Sequence, residues 1–210
     1  MHFRLTNEII FPDPSLADDD GLLAIGGDLS EERLLTAYRN GIFPWYSQEE
    51  PVLWYSPHER FVIVPSEVKV SQSMRQLINS SKYEVKWNTA FKEVITYCSS
   101  IRRNGQHGTW IHDDMINAYT RLHDKKIAQS VDVWQDETLV GGLYGVVVGK
   151  VFCGESMFSI LPNTSKLALI ALCRSCKFSL IDCQVYTPHL EKMGAKFISR
   201  EEFMNTLELN

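Results

Sequence analysis

Three polar residues stand in apolar surroundings: Glu155 in Phe152-Cys153-Gly154-Glu155-Ser156-Met157-Phe158, and Asp182 and Gln184 in Leu180-Ile181-Asp182-Cys183-Gln184-Val185. In a strand, residues two apart share a face, so Asp182 and Gln184 point one way and Cys183 the other. A buried carboxylate loses its hydration and must be either paired or used. Asp182 and Gln184 bonded to each other and to backbone meet that demand as well as a reactive pair does. Gly154 permits close backbone approach beside Glu155, whose alternative is a carboxylate bonded to a neighbouring turn. Trp45, after Pro44, and Trp110, after Thr109, could stack a nucleobase, although loop tryptophans also anchor loops to a core. His112 precedes a helix and has no Ser or Cys partner in a triad-like context, so it reads as structural or capping.

The elements that position these residues fall into two parts. Up to residue 60 the chain is turn-rich, with Phe11-Pro12-Asp13-Pro14, Asp18-Asp19-Asp20-Gly21 and Gly26-Gly27-Asp28. It holds one clear helix, capped by Ser30, favoured by Glu31 and Glu32 at its positive end, periodic through Leu34, Leu35 and Tyr38, and ended by Gly41. From Phe61 strand and helix patterns alternate. Strands are expected at Phe61 to Val64 and Tyr83 to Trp87 with a short helix, Ser73 to Ile78, between them, and helices at Thr89 to Arg102 and Asp113 to His123. A meander follows, Gln129 to Trp134, Leu139 to Val148 and Val151 to Glu155. Then come a helix from Ser165 to Cys176, a strand from Leu180 to Gln184 and a last helix from Arg200 to Leu207. The pattern predicts an α+β fold, a small N-terminal domain (1–60) followed by a mixed-sheet domain (61–210). The strand-helix-strand crossover lays Val151 to Glu155 beside Leu180 to Gln184 in parallel, with Glu155, Asp182 and Gln184 at the carboxyl ends where ligands collect.

Composition narrows the function classes. The 210 residues are 44% hydrophobic and 22% charged, with a net charge of -5, which are globular proportions. Residues 1–60 carry four basic and eleven acidic side chains, and residues 61–210 carry seventeen basic and fifteen acidic. A polyanion should approach the second segment, and the overall balance suits the end of a nucleic acid better than a long duplex. No run approaches the roughly 18 apolar residues of a membrane helix, and polar residues occupy the place of a signal peptide's apolar region, so a cytoplasmic protein is expected. Five thinly spread cysteines do not suggest a disulfide framework, and Cys173-x-x-Cys176 reads as core packing. Nucleotide phosphate cradles of the Gly-x-x-x-x-Gly-Lys and Gly-x-Gly-x-x-Gly types are absent, and the turn Phe158 to Thr164 has no glycine, which weakens an acetyl-coenzyme A reading.

Six segments in order resemble the leucyl/phenylalanyl-tRNA–protein transferases: Gly21 to Ser30, Gly41-Ile42-Phe43-Pro44-Trp45-Tyr46, Gly108-Thr109-Trp110-Ile111, Leu139 to Gly145, Phe152 to Phe158 and Leu180 to Val185. The resemblance implies an acetyltransferase-like (GNAT) second domain that moves an aminoacyl group. Such enzymes take Leu or Phe, and less well Met, from aminoacyl-tRNA, join it to a protein's N-terminal Arg or Lys, and so mark it for N-end-rule degradation. It implies no metal or organic cofactor, no membrane partner and a monomer. Catalytic roles map to Asp182, Gln184 and Glu155, and holding of the tRNA 3′-adenosine to Trp45 and Trp110. The donor side-chain pocket maps to Leu143, Gly154, Met157, Leu169, Leu172, Cys176 and Ile181.

These roles make chemical sense. The ester is already activated and an α-amine with a pKa of about 7.7–8.0 is partly neutral near pH 7, so the site mainly positions groups and relieves developing charge. Gln184 is expected to orient the attacking N–H while Asp182 polarises its amide or relays the proton. Of three departures from better-known members, two bear on the pocket and on the tRNA. Leu172 and Cys176 occupy positions where those members carry aromatics, which predicts a pocket wider at its base. The basic cluster around Met74-Arg75-Gln76-Leu77 is thinned to Arg75, Lys82 and Lys86.

Overall fold

The structure, a computed structural model, describes residues 3–101 and 110–208. Its first part holds β1 (Phe3–Leu5), β2 (Leu22–Gly26), α1 (Glu31–Arg39), β3 (Phe43–Pro44) and β4 (Leu53–Tyr55), the strands forming one sheet in the order β1-β2-β4-β3. The turn signals in this stretch are genuine: Gly21, Gly26, Gly27 and Gly41 all take positive φ. They also hide strands of two to five residues, too short for alternation to register. The expected helix is present, with Ser30 Oγ accepting the Arg33 N–H at its start and Gly41, at φ +66°, just past its end.

The second part contains β5 (Glu59–Ile63), α2 (Gln72–Asn79), β6 (Glu84–Trp87), α3 (Phe91–Ser100), α4 (Asp113–Asp124), β7 (Ala128–Gln135), β8 (Thr138–Val148) and β9 (Val151–Ser159). After them come α5 (Thr164–Arg174), β10 (Leu180–Asp182), α6 (Pro188–Lys192), β11 (Lys196–Ser199) and α7 (Arg200–Glu208). Its seven strands run in the order β11-β5-β10-β9-β8-β7-β6. The meander β7-β8-β9 is antiparallel, and β10 lies parallel to β9, with Asp182 opposite Cys153, as the crossover requires. The fold is α+β.

Several boundaries differ from expectation, each for a local reason. Asp132 accepts the backbone N–H groups of Thr89 and Ala90, which delays the start of α3 to Phe91. The expected end of that helix, Arg102, lies outside the described residues. Helix α5 ends at Arg174, and Cys176 follows it, exposed and at φ +56°. Strand β10 stops at Asp182, and β9 runs on to Ser159, so Glu155 is mid-strand and not at a strand end.

That placement has a cause in the register of β8 and β9. Tyr144 pairs with Ser156 and Gly145 with Gly154, leaving Glu155 as the extra residue of a β-bulge. Only glycine fits at 145, because a Cβ there would lie 2.2 Å from the Cys153 carbonyl oxygen. The bulge inverts the alternation. Cys153 and Phe158 pack in the core beneath α1, α3 and α4, whereas Phe152 and Met157 pack on the opposite face, against α5. The first core joins both parts of the chain: Leu34, Tyr38 and Trp54 share it with Val94, Met115, Tyr119 and Tyr144. Among the described residues no helix is long and apolar enough to cross a membrane.

Candidate active site

A cavity of about 460 Å³ opens beside the end of β10 and the bulge of β9. Its carboxylate and amide lining, the polar wall, is Glu155, Asp182 and Gln184, and Ser156, Ser165, Thr187 and His189 also line it. Glu155 is buried and accepts three hydrogen bonds: from the Tyr38 hydroxyl (2.6 Å) and Gln184 Nε2 (3.0 Å) at Oε1, and from the Tyr119 hydroxyl (3.1 Å) at Oε2. Burial pushes its pKa up to about 7, with the charge of Asp182 adding to the rise and the three donors opposing it. The same burial, with the neighbouring carboxylate, pushes both tyrosine hydroxyls well above their usual range.

Asp182 is fully buried and bound by an arginine. Arg60 Nε donates to both carboxylate oxygens (3.1 and 3.2 Å) and Nη2 to Oδ2 (2.9 Å). The remaining end of the guanidinium donates to the Gly41 carbonyl, and its faces lie over the rings of Phe43 and Phe203 at 4.8 and 4.5 Å. Asp182 Oδ1 also accepts the backbone N–H of Gln184 at 2.8 Å, closing a turn that holds Gln184 at φ +63°. The expected pairing of Asp182 and Gln184 on one strand face is therefore replaced by a turn. The side-chain amide of Gln184 reaches Glu155, not Asp182, so the expected polarisation of that amide by Asp182 has no contact to act through.

Leu143, Gly154, Met157, Leu169, Leu172 and Ile181 form an apolar wall of the same cavity. Cys176 does not reach it, because α5 ends two residues earlier and turns the thiol outward. Trp45 and Trp110 stand at the cavity, Trp45 42% exposed with its ring tilted against Tyr55 at 5.9 Å. Gly108 and Thr109, which precede Trp110 in its segment, lie outside the described residues. His112 takes the N-cap position of α4, but its ring packs edge-on against Tyr46 and accepts no capping bond.

Three residues that hold the polar wall from behind, Tyr38, Tyr119 and Arg60, escape a reading of local pattern. Tyr38 registers only as one apolar position of a helix, Tyr119 as part of another, and Arg60 as a charge at the boundary between the two parts. Their importance lies in contacts spanning 36 to 122 positions of chain.

Residues 62–208 match the leucyl/phenylalanyl-tRNA protein transferase family, and residues 27–58 match the leucyl/phenylalanyl-tRNA protein transferase N-terminal domain. A leucyl/phenylalanyl-tRNA–protein transferase of Flavobacterium johnsoniae is 53% identical over 209 residues, covering 98% of this chain and 99% of that protein. The proteins of the same name from Flavobacterium psychrophilum and Syntrophus aciditrophicus are 52% and 54% identical over 211 and 198 residues. These matches cover 99% and 93% of this chain and 100% and 83% of the relatives. The chain belongs to the leucyl/phenylalanyl-tRNA protein transferase family.

Within this family member the cysteine pair is divided: Cys173 is buried against the apolar core and Cys176 faces solvent. Among the described residues no group of three or more His, Cys, Asp or Glu side chains is placed to hold a metal ion. Of the thinned basic cluster, Arg75 is exposed on α2, while Lys86 pairs with Glu84 and also lies 5.5 Å from the Trp134 ring centre.

Proposed function

We propose that this protein transfers leucine, phenylalanine and, less well, methionine from aminoacyl-tRNA to the α-amino group of proteins beginning with Arg or Lys. The new peptide bond creates an N-end-rule degradation signal. The observation that carries this reading is one cavity, in a chain of this family, that combines two tryptophans, an apolar wall and the Glu155–Gln184 pair.

Trp45 and Trp110 hold the terminal adenosine by stacking, a base-tolerant contact suited to an invariant end. The apolar wall takes the donor side chain. Gln184, its amide nitrogen engaged by Glu155, offers its carbonyl oxygen to an N–H of the attacking amine, fixing the amine's lone pair toward the ester carbon. Asp182 acts as a positioning residue: both its oxygens are engaged by Arg60, and one of them also holds the Gln184 backbone. An activated ester and an amine that is partly neutral near pH 7 need no metal or organic cofactor.

The seven-stranded sheet corresponds in this reading to an acetyltransferase-like domain, residues 61–210, and the four-stranded sheet to a small N-terminal domain, residues 1–60. The two sheets share no strand, which supports two domains, with the boundary before Glu59 and not after residue 60, because β5 belongs wholly to the larger sheet. The protein works as a cytoplasmic monomer. The test uses purified protein, radiolabelled Leu-tRNA and two peptides, one beginning with Arg and one with Ala. Label should enter the Arg peptide and be lost on RNase treatment or prior deacylation of the tRNA. Equal labelling of the Ala peptide, or labelling from free leucine and ATP alone, would overturn the reading.

A further inference from the structure

At Glu155 the polar wall is backed by a cluster that the positioning roles above leave unexplained. Tyr38 from α1, Tyr119 from α4 and Glu155 from β9 bring three oxygens into mutual hydrogen-bond contact: the two hydroxyls lie 2.5 Å apart, Tyr38 lies 2.6 Å from Oε1 and Tyr119 lies 3.1 Å from Oε2. Each contact needs one proton. Two phenols and an ionised carboxylate supply only two, so one contact sets oxygen against oxygen with nothing between them. One added proton on Glu155 closes the ring, with each member donating once and accepting once; without it both hydroxyls donate to the carboxylate and keep it from holding that proton too tightly.

We infer that Tyr38, Tyr119 and Glu155 form a proton-holding triad that receives the proton shed by the acceptor's α-ammonium. This rests on the proposed transfer reaction. Glu155 lines the cavity, so the ammonium reaches it without passing through the Gln184 amide. The proton balance closes. The ammonium gives one proton to the Glu155 carboxylate and becomes the nucleophilic amine. As the new C–N bond forms and the ester C–O bond breaks, a second N–H proton leaves with the tRNA 3′-oxygen. The triad then returns its proton to solvent, and one proton is released per transfer.

The surroundings suit this role. The groups facing the triad are Gln184, which donates to Oε1, and Asp182, whose charge is compensated by Arg60. Tyr144 on β8 lies edge-on to Tyr119, with ring centres 5.7 Å apart, and Cys153 is a buried neighbour on β9. Burial brings Glu155 to about 7, close to the roughly 7.7–8.0 of an α-amine, so the proton moves between groups of similar basicity. Both phenols are pushed upward and remain protonated, which makes the carboxylate the only base of the three.

The test is an infrared titration of the whole protein without tRNA, following the C=O band of a buried carboxylic acid and assigning it by its loss in Glu155→Gln. Wild type should lose that band with a midpoint near pH 7. In Tyr38→Phe/Tyr119→Phe the hydroxyl donors that favour the charged form are gone, and the midpoint should rise by about one pH unit. The acidic limb of the transfer rate at saturating Leu-tRNA should move upward with it, so that much of the activity returns in alkaline buffer. Failure of Glu155→Gln to remove a band titrating near neutrality would overturn the triad, as would an unmoved midpoint in the folded double variant. A transfer rate reduced by one factor at every pH would mark the tyrosines as merely structural and also overturn it. If the double variant does not fold, Tyr119→Phe and the comparison of wild type with Glu155→Gln carry the same decision. Because the band is read without tRNA, its failure is separate from a failure of wild type to label the Arg peptide.

Discussion

The two walls of the cavity are built by different rules. The apolar wall is assembled from near neighbours in sequence: β8, β9, α5 and β10 follow one another, and each contributes to it. The polar wall is assembled from distant ones, with Arg60 binding Asp182 across 122 positions and Tyr38 binding Glu155 across 117. A charge in a low-dielectric site requires satisfied partners, and one element rarely supplies them all. In the proposed reaction selectivity is local, whereas the placement of reactive groups depends on contacts between the two parts of the chain.

If so, damage to the polar wall should be severe and should involve the fold. Arg60→Met leaves Asp182 buried without its partner and should cost roughly 3–5 kcal/mol in urea unfolding, with loss of transfer. A variant as stable as wild type would mean that Asp182 does not depend on Arg60.

Stability should also report on Glu155. Its folded pKa lies above the ordinary carboxylate value of 4.5, at about 7, so the folded state binds the proton more tightly than the unfolded chain. The contribution is fully present below about pH 4.5, declines as pH rises and is lost above 7. The loss amounts to roughly 3 kcal/mol. Unfolding free energies at pH 5 and pH 8 should therefore differ by more in wild type than in Glu155→Gln. An identical pH dependence in the two proteins would place the titrating group elsewhere.

The contrast between the walls also explains what could be read from sequence. Leu143, Met157, Leu169, Leu172 and Ile181 come from the family resemblance, whereas the pairing of β9 with β10 follows from a crossover legible in the alternation of strand and helix. Cys176 was misplaced because the helical pattern runs past the true end of α5, and a stop at Arg174 with a left-handed residue two positions later leaves no local apolar signal. The bulge at Glu155 and the turn at Gln184 were hidden for a related reason. Both interrupt a strand pattern by one residue, and each is held by a contact that pattern does not encode. The short strands β1 to β4 gave too few alternations to stand out from their glycines.

Substitutions in the apolar wall should act on choice of donor and leave stability nearly unchanged. Leu172→Phe narrows the pocket and should shift the Leu:Phe ratio in competition between charged tRNAs by roughly 10- to 200-fold, since apolar pockets discriminate by about 1–3 kcal/mol per methylene. An unchanged ratio would show that Leu172 does not set the pocket's depth. Cys176→Phe, outside the cavity, should leave the ratio at its wild-type value, and a shift as large as that of Leu172→Phe would return this residue to the pocket.

The most direct measurement is single-turnover transfer of phenylalanine from saturating Phe-tRNA to saturating Arg-initiated peptide, comparing wild type, Gln184→Ala and Leu172→Phe. Gln184→Ala removes the amide but keeps the backbone N–H that Asp182 holds. It should lower the rate about 10²-fold with Phe-tRNA binding unchanged, while Leu172→Phe should keep a rate within a few-fold of wild type. A folded Gln184→Ala protein that transfers at the wild-type rate would contradict the assignment of chemistry to the polar wall.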